Sequence, residues 1–458
     1  MQVFRMNNLQ LLVFSIIISI KRLQNMLIRK IDAELLKWKN KKKRKCLVVN
    51  GARQVGKTYS IEQFGLNNYK HYIYINFIEK PELCSIFDGN IDADTIIKQL
   101  KYKFGKTNFE AGKTLIFLDE IQQCPNARAA LKFLTIDGKF DFIASGSLLG
   151  INYKEVSSFP VGYVEHLQMK SLDFEEFLWA LGVDKDTIKL LYDCYHETKP
   201  VPEFIHNDML QKFRQYIAIG GMPEVVNNFI ENSDYHEVLK IQRNILDDYS
   251  NDIAKYAEGN EKSKAKACFL SVPKHLAKDY KKFQYSLVEA RGSSRKYAGS
   301  LNWLFDAGII NFCHNLSIPE LPLEGNSRED AFKVYMCDTG LLIAMLEDGS
   351  QQDILKGNLG IYKGAIYENI IADIFAKTGK KLYYFEYNSQ LELDFIIRYN
   401  GRTAAIEVKS ADNTKSKSLT SALTNWKVDL GIRLSTKNLG QTNKILSLPL
   451  YMAMFLNN

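Results

Sequence analysis

Short apolar runs alternate with segments of helical periodicity along the first third of the chain. The runs have the length of buried strands, and they comprise residues 46–50, 71–77, 114–118, 140–144 and 164–169. Strands that alternate with helices favour a parallel sheet that carries helices on both faces. The pattern therefore predicts an α/β fold with a doubly wound parallel sheet over residues 26–172.

Helical periodicity dominates residues 173–262 and is interrupted by Pro-containing segments at 199–202 and 220–223. We interpret this region as a helical connector or lid. Residues 263–345 then show a helix, a turn, a second helix and an extended ribbon, which is the order of a winged-helix-like domain. We assign residues 346–458 to a small α/β C-terminal domain.

The C-terminal domain contains a strong hairpin signal, the dipeptide Asn-Gly at 400–401 between two segments of alternating apolar and polar residues. A two-residue loop fixes the register of the strands on either side. Asp394 should then face Glu407, and Glu392 should face Lys409. Because side chains alternate along a strand, we expect all four to lie on one face of the hairpin.

Composition indicates a globular protein of several domains, since 46% of the 458 residues are hydrophobic and 24% are charged. The net charge of +8 is unevenly distributed. Residues 1–46 hold twelve Lys or Arg against two acids, and residues 262–296 hold ten against two. In the second patch, Arg295 and Lys296 begin a helix that could contact DNA or an acidic protein. The alternative is a docking helix whose apolar face packs into the core.

Seven scattered cysteines without a CxxC spacing, and histidines without ligand-spaced pairs, favour a reduced, cytoplasmic protein without zinc. The apolar stretch from Leu9 to Ile20 is too short to cross a bilayer, so no integral membrane role is expected. We interpret residues 1–25 as a doubtful N-terminal extension, with translation starting at Met26. A membrane-associating segment is the alternative.

Eight residues after the first predicted strand match GxxxxGK[ST] at every fixed position. In such a loop, backbone N–H groups and the start of the following helix bind phosphate oxygens. Lys57 would reach the β- and γ-phosphates of ATP, and Thr58 would bind Mg²⁺. The predicted nucleotide-binding residues are Gly51, Ala52, Arg53, Gln54, Val55, Gly56, Lys57, Thr58 and, from a later strand, Asp119.

A second motif stands where the first one predicts it. The apolar run at 114–118 ends in Asp119 and Glu120, the arrangement of a Walker B strand. Asp119 would lie beside the Mg²⁺ site, and Glu120 would polarise an attacking water. Ser145 leaves the next strand at the same edge, where its hydroxyl could sense the γ-phosphate. The plain alternative for these residues is a polar strand exit.

In their order and amino-acid sequence, the motifs resemble those of prokaryotic AAA-type ATPases that carry a C-terminal domain of unknown function. They span Met26 to Ser410 and lie at residues 51–58, 115–122, 145–149, 172–178, 220–224, 335–342, 367–369, 393–397 and 406–410. The resemblance implies a P-loop NTPase fold, ATP binding by the phosphate loop, Mg²⁺ coordination by Asp119 and a catalytic role for Glu120.

The chain departs from this family at one position. Many relatives place an arginine, a candidate trans-acting finger, after the glycine that corresponds to Gly162, whereas this chain has Tyr163. Arg128, Arg214 or Arg53 could serve instead. An oligomer is therefore possible, but the sequence does not identify which arginine would act in catalysis.

The hairpin carboxylates suggest further chemistry. Asp394 opposite Glu407 would be repulsive unless a cation such as Mg²⁺ offset the charges. Lys409 lies near them, and Glu368 in a preceding helix could add an acid. This constellation resembles the active site of PD-(D/E)XK nucleases, which predicts a second metal site in a nuclease-like domain. The alternative is a solvated, salt-bridged face.

Three functional hypotheses follow. The first is an ATPase that acts as a nucleotide-driven switch coupled to a DNA- or protein-binding module, with Lys57, Glu120 and Ser145 in catalytic roles. The second is an ATP-gated nuclease that uses the hairpin site. The third is a nucleotide-sensing binding module that does not hydrolyse ATP.

Overall fold

The computed structural model describes residues 26–147, 162–256, 261–278, 281–357, 363–388, 391–409 and 417–456. The expectations for residues 1–25 lie outside this part of the chain. Contacts divide the protein into two compact units, the first ending at Lys170 and the second beginning at Ser171. No helix in the described ranges combines the length and the apolar character that a bilayer crossing requires.

The first unit contains one five-stranded sheet, as the alternating pattern predicts. Its strands are β1 (Cys46–Gly51), β2 (His71–Asn76), β3 (Thr114–Asp119), β4 (Asp141–Ser147) and β5 (Val164–Gln168). Its helices are α1 (Lys30–Lys39), α2 (Lys57–Asn68), α3 (Ala93–Phe104) and α4 (Pro125–Asp137). The strand order is β2-β3-β4-β1-β5, and every neighbouring pair is parallel. The predicted doubly wound parallel sheet is confirmed.

Side chains of the central strands alternate between two separate hydrophobic cores. On β3, Ile116 and Leu118 pack in the core that contains residues of α3 and α4. Leu115 and Phe117 pack in the core that contains residues of α1 and α2. A strand buried on both faces needs an apolar residue at each position, which is why β3 appears in the sequence as an uninterrupted apolar run.

The second unit begins with five helices, in agreement with the helical periodicity of the sequence. They are α5 (Phe174–Ala180), α6 (Lys185–Glu197), α7 (Glu203–Ile219), α8 (Pro223–Asn232) and α9 (Tyr235–Tyr256). The predicted interruptions fall between α6 and α7 and between α7 and α8. At the second of these, Pro223 is the first residue of its helix, where its fixed φ fits and no N–H is needed.

The next region has the predicted succession of helices and ribbon. Its helices are α10 (Glu261–Leu276), α11 (Tyr285–Val288) and α12 (Ser294–Asp306), and its strands are β6 (Ile310–Leu316) and β7 (Ser327–Met336). The two strands are antiparallel. The ribbon also pairs onward, because β6 is parallel to β8 (Leu382–Tyr387), so the sheet order is β7-β6-β8-β9, with β9 at Leu391–Leu393. The predicted domain boundary between residues 345 and 346 therefore divides strands that belong to one sheet.

The remaining elements complete the second unit. The helices are α13 (Thr339–Ala344), α14 (Ser350–Lys356), α15 (Lys363–Lys377) and α16 (Lys417–Asn425), and the strands are β10 (Phe395–Tyr399), β11 (Arg402–Val408), β12 (Leu430–Ser435), β13 (Gly440–Thr442) and β14 (Ile445–Pro449). The five strands form a sheet in the order β10-β11-β12-β14-β13. Apolar residues of both sheets, among them Leu316, Phe385 and Ile396, pack in one core with α16. The two sheets therefore stabilise each other.

The second unit contains a buried ionic network around Lys377. The Lys377 ammonium is 3.1 Å from a carboxylate oxygen of Asp373 and 3.5 Å from one of Asp338. It also donates to the Tyr216 hydroxyl at 2.9 Å and to the Leu172 carbonyl at 3.1 Å. Burial raises the pKa of Asp373 to about 7, the charge of Asp338 adds to that rise, and Lys377 opposes it. The ammonium is therefore needed to keep two buried carboxylates together.

Asp338 connects this network to three backbone segments. It accepts hydrogen bonds from the Ser171 hydroxyl at 2.9 Å and from the Gly221 N–H at 2.8 Å. Its other oxygen accepts from the Leu341 N–H at 3.3 Å and so caps α13. One buried carboxylate thus fixes the start of the second unit, the turn before α8 and the start of α13.

We expect Asp338→Ala to lower the free energy of unfolding of the second unit by about 3–5 kcal/mol, because it leaves Lys377 short of a partner in the interior. Urea unfolding of the full chain measures this change. Asp193→Ala is the matched control, since it removes an exposed carboxylate that is 2.6 Å from Lys189, and it should leave the transition nearly unchanged. Equal midpoints for the two variants would contradict the assignment.

Candidate nucleotide-binding site

The phosphate loop joins the end of β1 to the start of α2. Gln54 and Gly56 have φ values of 61° and 91°, in the left-handed region. Gly56 occupies the N-cap position of α2, and a side chain there would be strained. The loop therefore turns sharply and presents the N-terminus of α2, the end at which a helix attracts anions.

Gly51 is required for a different reason. A Cβ at this position would lie 2.2 Å from the carbonyl oxygen of Met169, which follows β5. The Met169 N–H donates to the Asn50 carbonyl at 2.7 Å, so the contact is part of an ordered pairing beside the loop. Only glycine permits this close approach of the two backbones.

Lys57 begins α2, and its side chain folds back over the loop. Its ammonium donates to the carbonyl oxygens of Ala52 at 2.7 Å and Gly51 at 3.1 Å. The residue is only 7% exposed, and burial lowers the pKa of its ammonium to about 8 although Glu120 and Asp119 oppose the shift. A buried ammonium that donates to backbone carbonyl groups is well placed to exchange them for phosphate oxygens.

Asp119 is the centre of the polar contacts at the end of β3. Its carboxylate accepts hydrogen bonds from the Thr58 hydroxyl at 3.0 Å and from the Tyr74 hydroxyl at 3.0 Å. Its other oxygen accepts from the Ser145 hydroxyl. The strand order explains this meeting, because β4 lies between β1 and β3 and the carboxyl ends of parallel strands share one edge. The structure thus brings together Thr58, Asp119 and Ser145, all named from the sequence.

Glu120 has the left-handed φ of 54°, which turns the chain sharply after β3. Its backbone N–H donates to the Asp119 carboxylate at 3.1 Å, and its own carboxylate accepts a short hydrogen bond of 2.5 Å from the Gln122 amide. Glu120 is half-buried. Its carboxylate is thus held beside the site by a neutral donor rather than by a cation.

Two contributors to the site were not predicted from the sequence. Tyr74 lies on β2, the strand next to β3, and its contact with Asp119 follows from the sheet order. The buried guanidinium of Arg29 donates to the Val55 carbonyl at 3.1 Å and to the Lys170 carbonyl at 2.7 Å. Neither residue belongs to a motif, and Arg29 stands among other basic residues near the N-terminus, so no local signal distinguishes it.

The donor set fits ATP and Mg²⁺. Thr58 and Asp119 offer hydroxyl and carboxylate oxygens, the hard ligands that Mg²⁺ prefers. Their 3.0 Å separation places both at one spot beside the Lys57 ammonium. The sharp turn, the helix N-terminus and a displaceable ammonium together make a cradle for phosphate.

The predicted second metal site lies on the C-terminal hairpin. The predicted register of this hairpin is confirmed, since Phe395 is opposite Ile406 and Tyr399 is opposite Arg402. Asp394 lies just before β10, and its carboxylate accepts from the Val408 N–H at 2.7 Å. A bend at Asp394 therefore replaces the expected continuation of the strand.

The expectation that Glu392 faces Lys409 was wrong. The bend at Asp394 separates β10 from the residues before it, so Glu392 belongs to β9. This strand pairs with β8 and places Glu392 opposite Glu386. Its carboxylate accepts from the Lys333 ammonium at 2.6 Å. Lys409, which follows β11, instead pairs with Glu407 on that strand, at 2.6 Å.

Lysines balance the acids of this region. Burial would raise the pKa of Glu368, but Lys333 and Lys281 outweigh it and hold that pKa below its usual range. The pKa of Asp394 is raised to about 7 by burial and by the charge of Glu368. Among the described residues, no three His, Cys, Asp or Glu side chains are placed to hold a metal ion. Glu368, Asp394 and Glu407 with Lys409 are thus not gathered as a metal-binding group, and the nuclease site stays a prediction.

Comparison with known proteins agrees with the geometry of the first unit. The AAA domain family matches residues 43–178, which include the phosphate loop, Asp119 and Ser145. Residues 43–178 therefore form an AAA-type P-loop domain. A domain of unknown function, DUF4143, matches residues 363–451, and another, DUF8612, matches residues 210–352. The family resemblance read from the motifs is confirmed.

Several solved structures are distantly similar to this chain. A Walker-type ATPase of Pyrococcus abyssi shares 13% identity over 70% of this chain and 96% of its own, with a TM-score of 0.43. The ORC1 protein of Aeropyrum pernix, solved with DNA, shares 13% over 72% and 92%, with a TM-score of 0.28. Cdc6p from Pyrobaculum aerophilum shares 12% over 74% and 95%, with a TM-score of 0.22. Likenesses this distant carry no argument about what this chain does. A search of curated proteins found no significant match.

The lowered pKa of Lys57 predicts a pH dependence of ATP binding. Triphosphate favours the charged ammonium, so above about pH 8, where the nucleotide-free protein loses this proton, binding must restore it. We expect Kd for ATP to rise by up to about tenfold per pH unit between pH 8 and 9.5 at fixed Mg²⁺ and salt. Lys57→Met should bind weakly and lack this rise. A wild-type Kd that stays constant over this range would contradict the low pKa.

Proposed function

We propose that the protein binds Mg²⁺ and ATP at the phosphate loop and hydrolyses the nucleotide slowly, as a switch that acts on the second unit. The observation that carries this proposal is the Asp119 carboxylate, bonded to the Thr58 and Ser145 hydroxyls beside the buried Lys57. An acidic strand exit without a function would not need two hydroxyl donors from two other segments.

Each side chain has a distinct role in this proposal. Lys57 exchanges its two backbone carbonyl partners for β- and γ-phosphate oxygens. Thr58 and Asp119 hold Mg²⁺, which when bound neutralises charge that develops on the phosphates. Ser145 keeps Asp119 oriented and lies where its hydroxyl can respond to the γ-phosphate.

Glu120 is the residue that we assign to the attacking water. Its carboxylate accepts a hydrogen bond from the Gln122 amide through one oxygen, which leaves the other oxygen to orient water and accept its proton. The amide donor stabilises the charged form of the carboxylate and so lowers its basicity. Slow turnover follows from this weaker base.

The backbone after β5 gives a short covalent route from the site to the second unit. Met169 pairs with Asn50 beside the loop. Two residues later, Ser171 donates to Asp338, and the carbonyl of Leu172 accepts from Tyr216 at 2.7 Å. In this proposal, a displacement at the loop is passed along these residues to the buried network around Asp338.

The partner of the second unit would be anionic, either DNA or an acidic protein. Within the part of the chain that the structure describes, three of the ten basic residues at 262–296 form ion pairs, namely Lys264 with Glu261, Lys281 with Glu368 and Lys296 with Glu289. Other members of the patch are exposed on or near α10 and α12, among them Lys262, Lys266, Lys274, Lys278 and Arg295. Exposed cations of this kind support contacts with phosphates or carboxylates.

We expect Glu120→Gln to retain ATP affinity within about threefold while it lowers the turnover number at least about 100-fold, because the amide cannot take a proton from water. Binding is measured by titration with a fluorescent ATP analogue and turnover by phosphate release. Lys98→Gln, an exposed change on α3, is the control and should match wild type.

Two results would contradict the proposal. Full turnover in Glu120→Gln would remove this carboxylate from the chemistry. ATP binding by the wild type without any phosphate release, with or without DNA, would favour a nucleotide-sensing module that does not hydrolyse ATP.

A further inference from the structure

A cleft in the second unit has no role in the chemistry described so far. It has a volume of about 580 Å³ and is open to solvent. It is bordered by α7, by the C-terminal end of α14 and by the loop after β12. The side chains that define its character are Glu203, His206, Arg214, Lys356, Tyr367 and Lys437.

Positive charge dominates the cleft. Arg214, Lys356 and Lys437 face a single carboxylate, that of Glu203. Within the described ranges, none of the three cations is ion-paired, whereas Lys212 on the same helix as Arg214 pairs with Asp208. A half-buried guanidinium without an acidic partner is a recognition group for a planar or tetrahedral anion.

His206 holds one wall of the cleft in place without adding charge. Its Nε2 is 3.1 Å from the Thr436 carbonyl, and its Nδ1 is 3.0 Å from the Tyr451 hydroxyl. Because a carbonyl can only accept, Nε2 carries the proton, and Nδ1 accepts from the tyrosine. Burial lowers the pKa of this imidazole, which keeps it neutral.

The loop that forms this wall of the cleft is also anchored beside Lys437. The Asn438 amide donates to the Val201 carbonyl at 2.7 Å and accepts from the Val201 N–H at 3.0 Å. Lys437 thus stands between two anchored residues, Thr436 and Asn438. The position of its backbone is set before any ligand arrives, which lowers the entropy cost of binding.

The opposite side combines a cation with an apolar surface. On α14, the Gln351 amide reaches the Ala218 carbonyl of α7 at 3.4 Å, and this helix ends in Lys356. The buried ring of Tyr367 lies at the cleft beside Leu210. The cleft thus combines cations with a small apolar area, which suits a ligand that has a phosphate and a small apolar part.

We propose that this cleft binds a phosphorylated small molecule of about mononucleotide size, at a site separate from the phosphate loop. Arg214 and Lys437 bind its phosphate group, and Tyr367 and Leu210 contact its apolar part. The concave shape and limited volume favour a small anion over a nucleic-acid backbone, which follows extended basic surfaces.

The test uses the full chain with Lys57→Met, so that the phosphate loop does not bind the probes. Isothermal titration calorimetry is carried out at low salt with AMP, inorganic pyrophosphate and a single-stranded DNA dodecamer. We expect AMP and pyrophosphate to bind, and AMP to bind more tightly because of the apolar surface. Adding Arg214→Gln should weaken both at least about tenfold, the loss that follows from removing a charged hydrogen-bond donor.

Lys437→Gln is the second variant, since its exposed side chain can be changed without altering the core. It should weaken binding about threefold or more. Lys212→Gln, on the same helix as Arg214 but ion-paired, is the matched control and should leave affinity unchanged. Thermal melts establish that each variant is folded.

Three outcomes would overturn the proposal. The first is the absence of binding by both AMP and pyrophosphate. The second is affinity for them that survives both Arg214→Gln and Lys437→Gln. The third is binding of the DNA dodecamer alone, which would assign the cleft to nucleic acid.

Discussion

The contact between the Asp119 carboxylate and the Thr58 hydroxyl is the interaction on which the account depends. It joins the end of one buried strand to the helix that begins after the phosphate loop, over 3.0 Å. The contact exists only because β4 separates β1 from β3 and all three strands run parallel. Ser145 at the end of β4 completes the group, so the sheet itself sets the geometry of the site.

Buried charge has a second, structural role in this protein. In the first unit, Lys57 is buried among carbonyl groups and its pKa is lowered, which leaves it ready to take up an anion. In the second unit, Lys377 is buried between the carboxylates of Asp373 and Asp338. The same residue type thus serves ligand binding where its partners are weak and serves rigidity where they are strong.

Local patterns predicted which polar residues of the first unit meet at one edge of the sheet. The loop, Asp119 and Ser145 lie at strand ends, and parallel strands bring their carboxyl ends to one edge whatever the rest of the chain does. Tyr74 and Arg29 could not be found in the same way. Their contacts depend on which strand neighbours β3 and on where an N-terminal segment lies, and the sequence does not encode either locally.

The C-terminal hairpin shows the same limit. Its register followed from the two-residue loop, whereas the partners of Glu392 and Glu368 did not. Lys333 on β7 reaches Glu392 on β9 because both strands belong to the sheet β7-β6-β8-β9. Lys281 reaches Glu368 although 87 positions separate them in the sequence. Of the two carboxylates whose expected repulsion suggested a metal ion, Asp394 accepts from the Val408 N–H and Glu407 pairs with Lys409.

The most direct test of the account is the Mg²⁺ dependence of ATP affinity in wild type and in Asp119→Asn, a change that keeps the shape of the side chain. The account predicts that Mg²⁺ strengthens ATP binding to wild type, that the variant loses this gain and that its affinity without Mg²⁺ stays near wild type. An equal gain from Mg²⁺ in both proteins would contradict it.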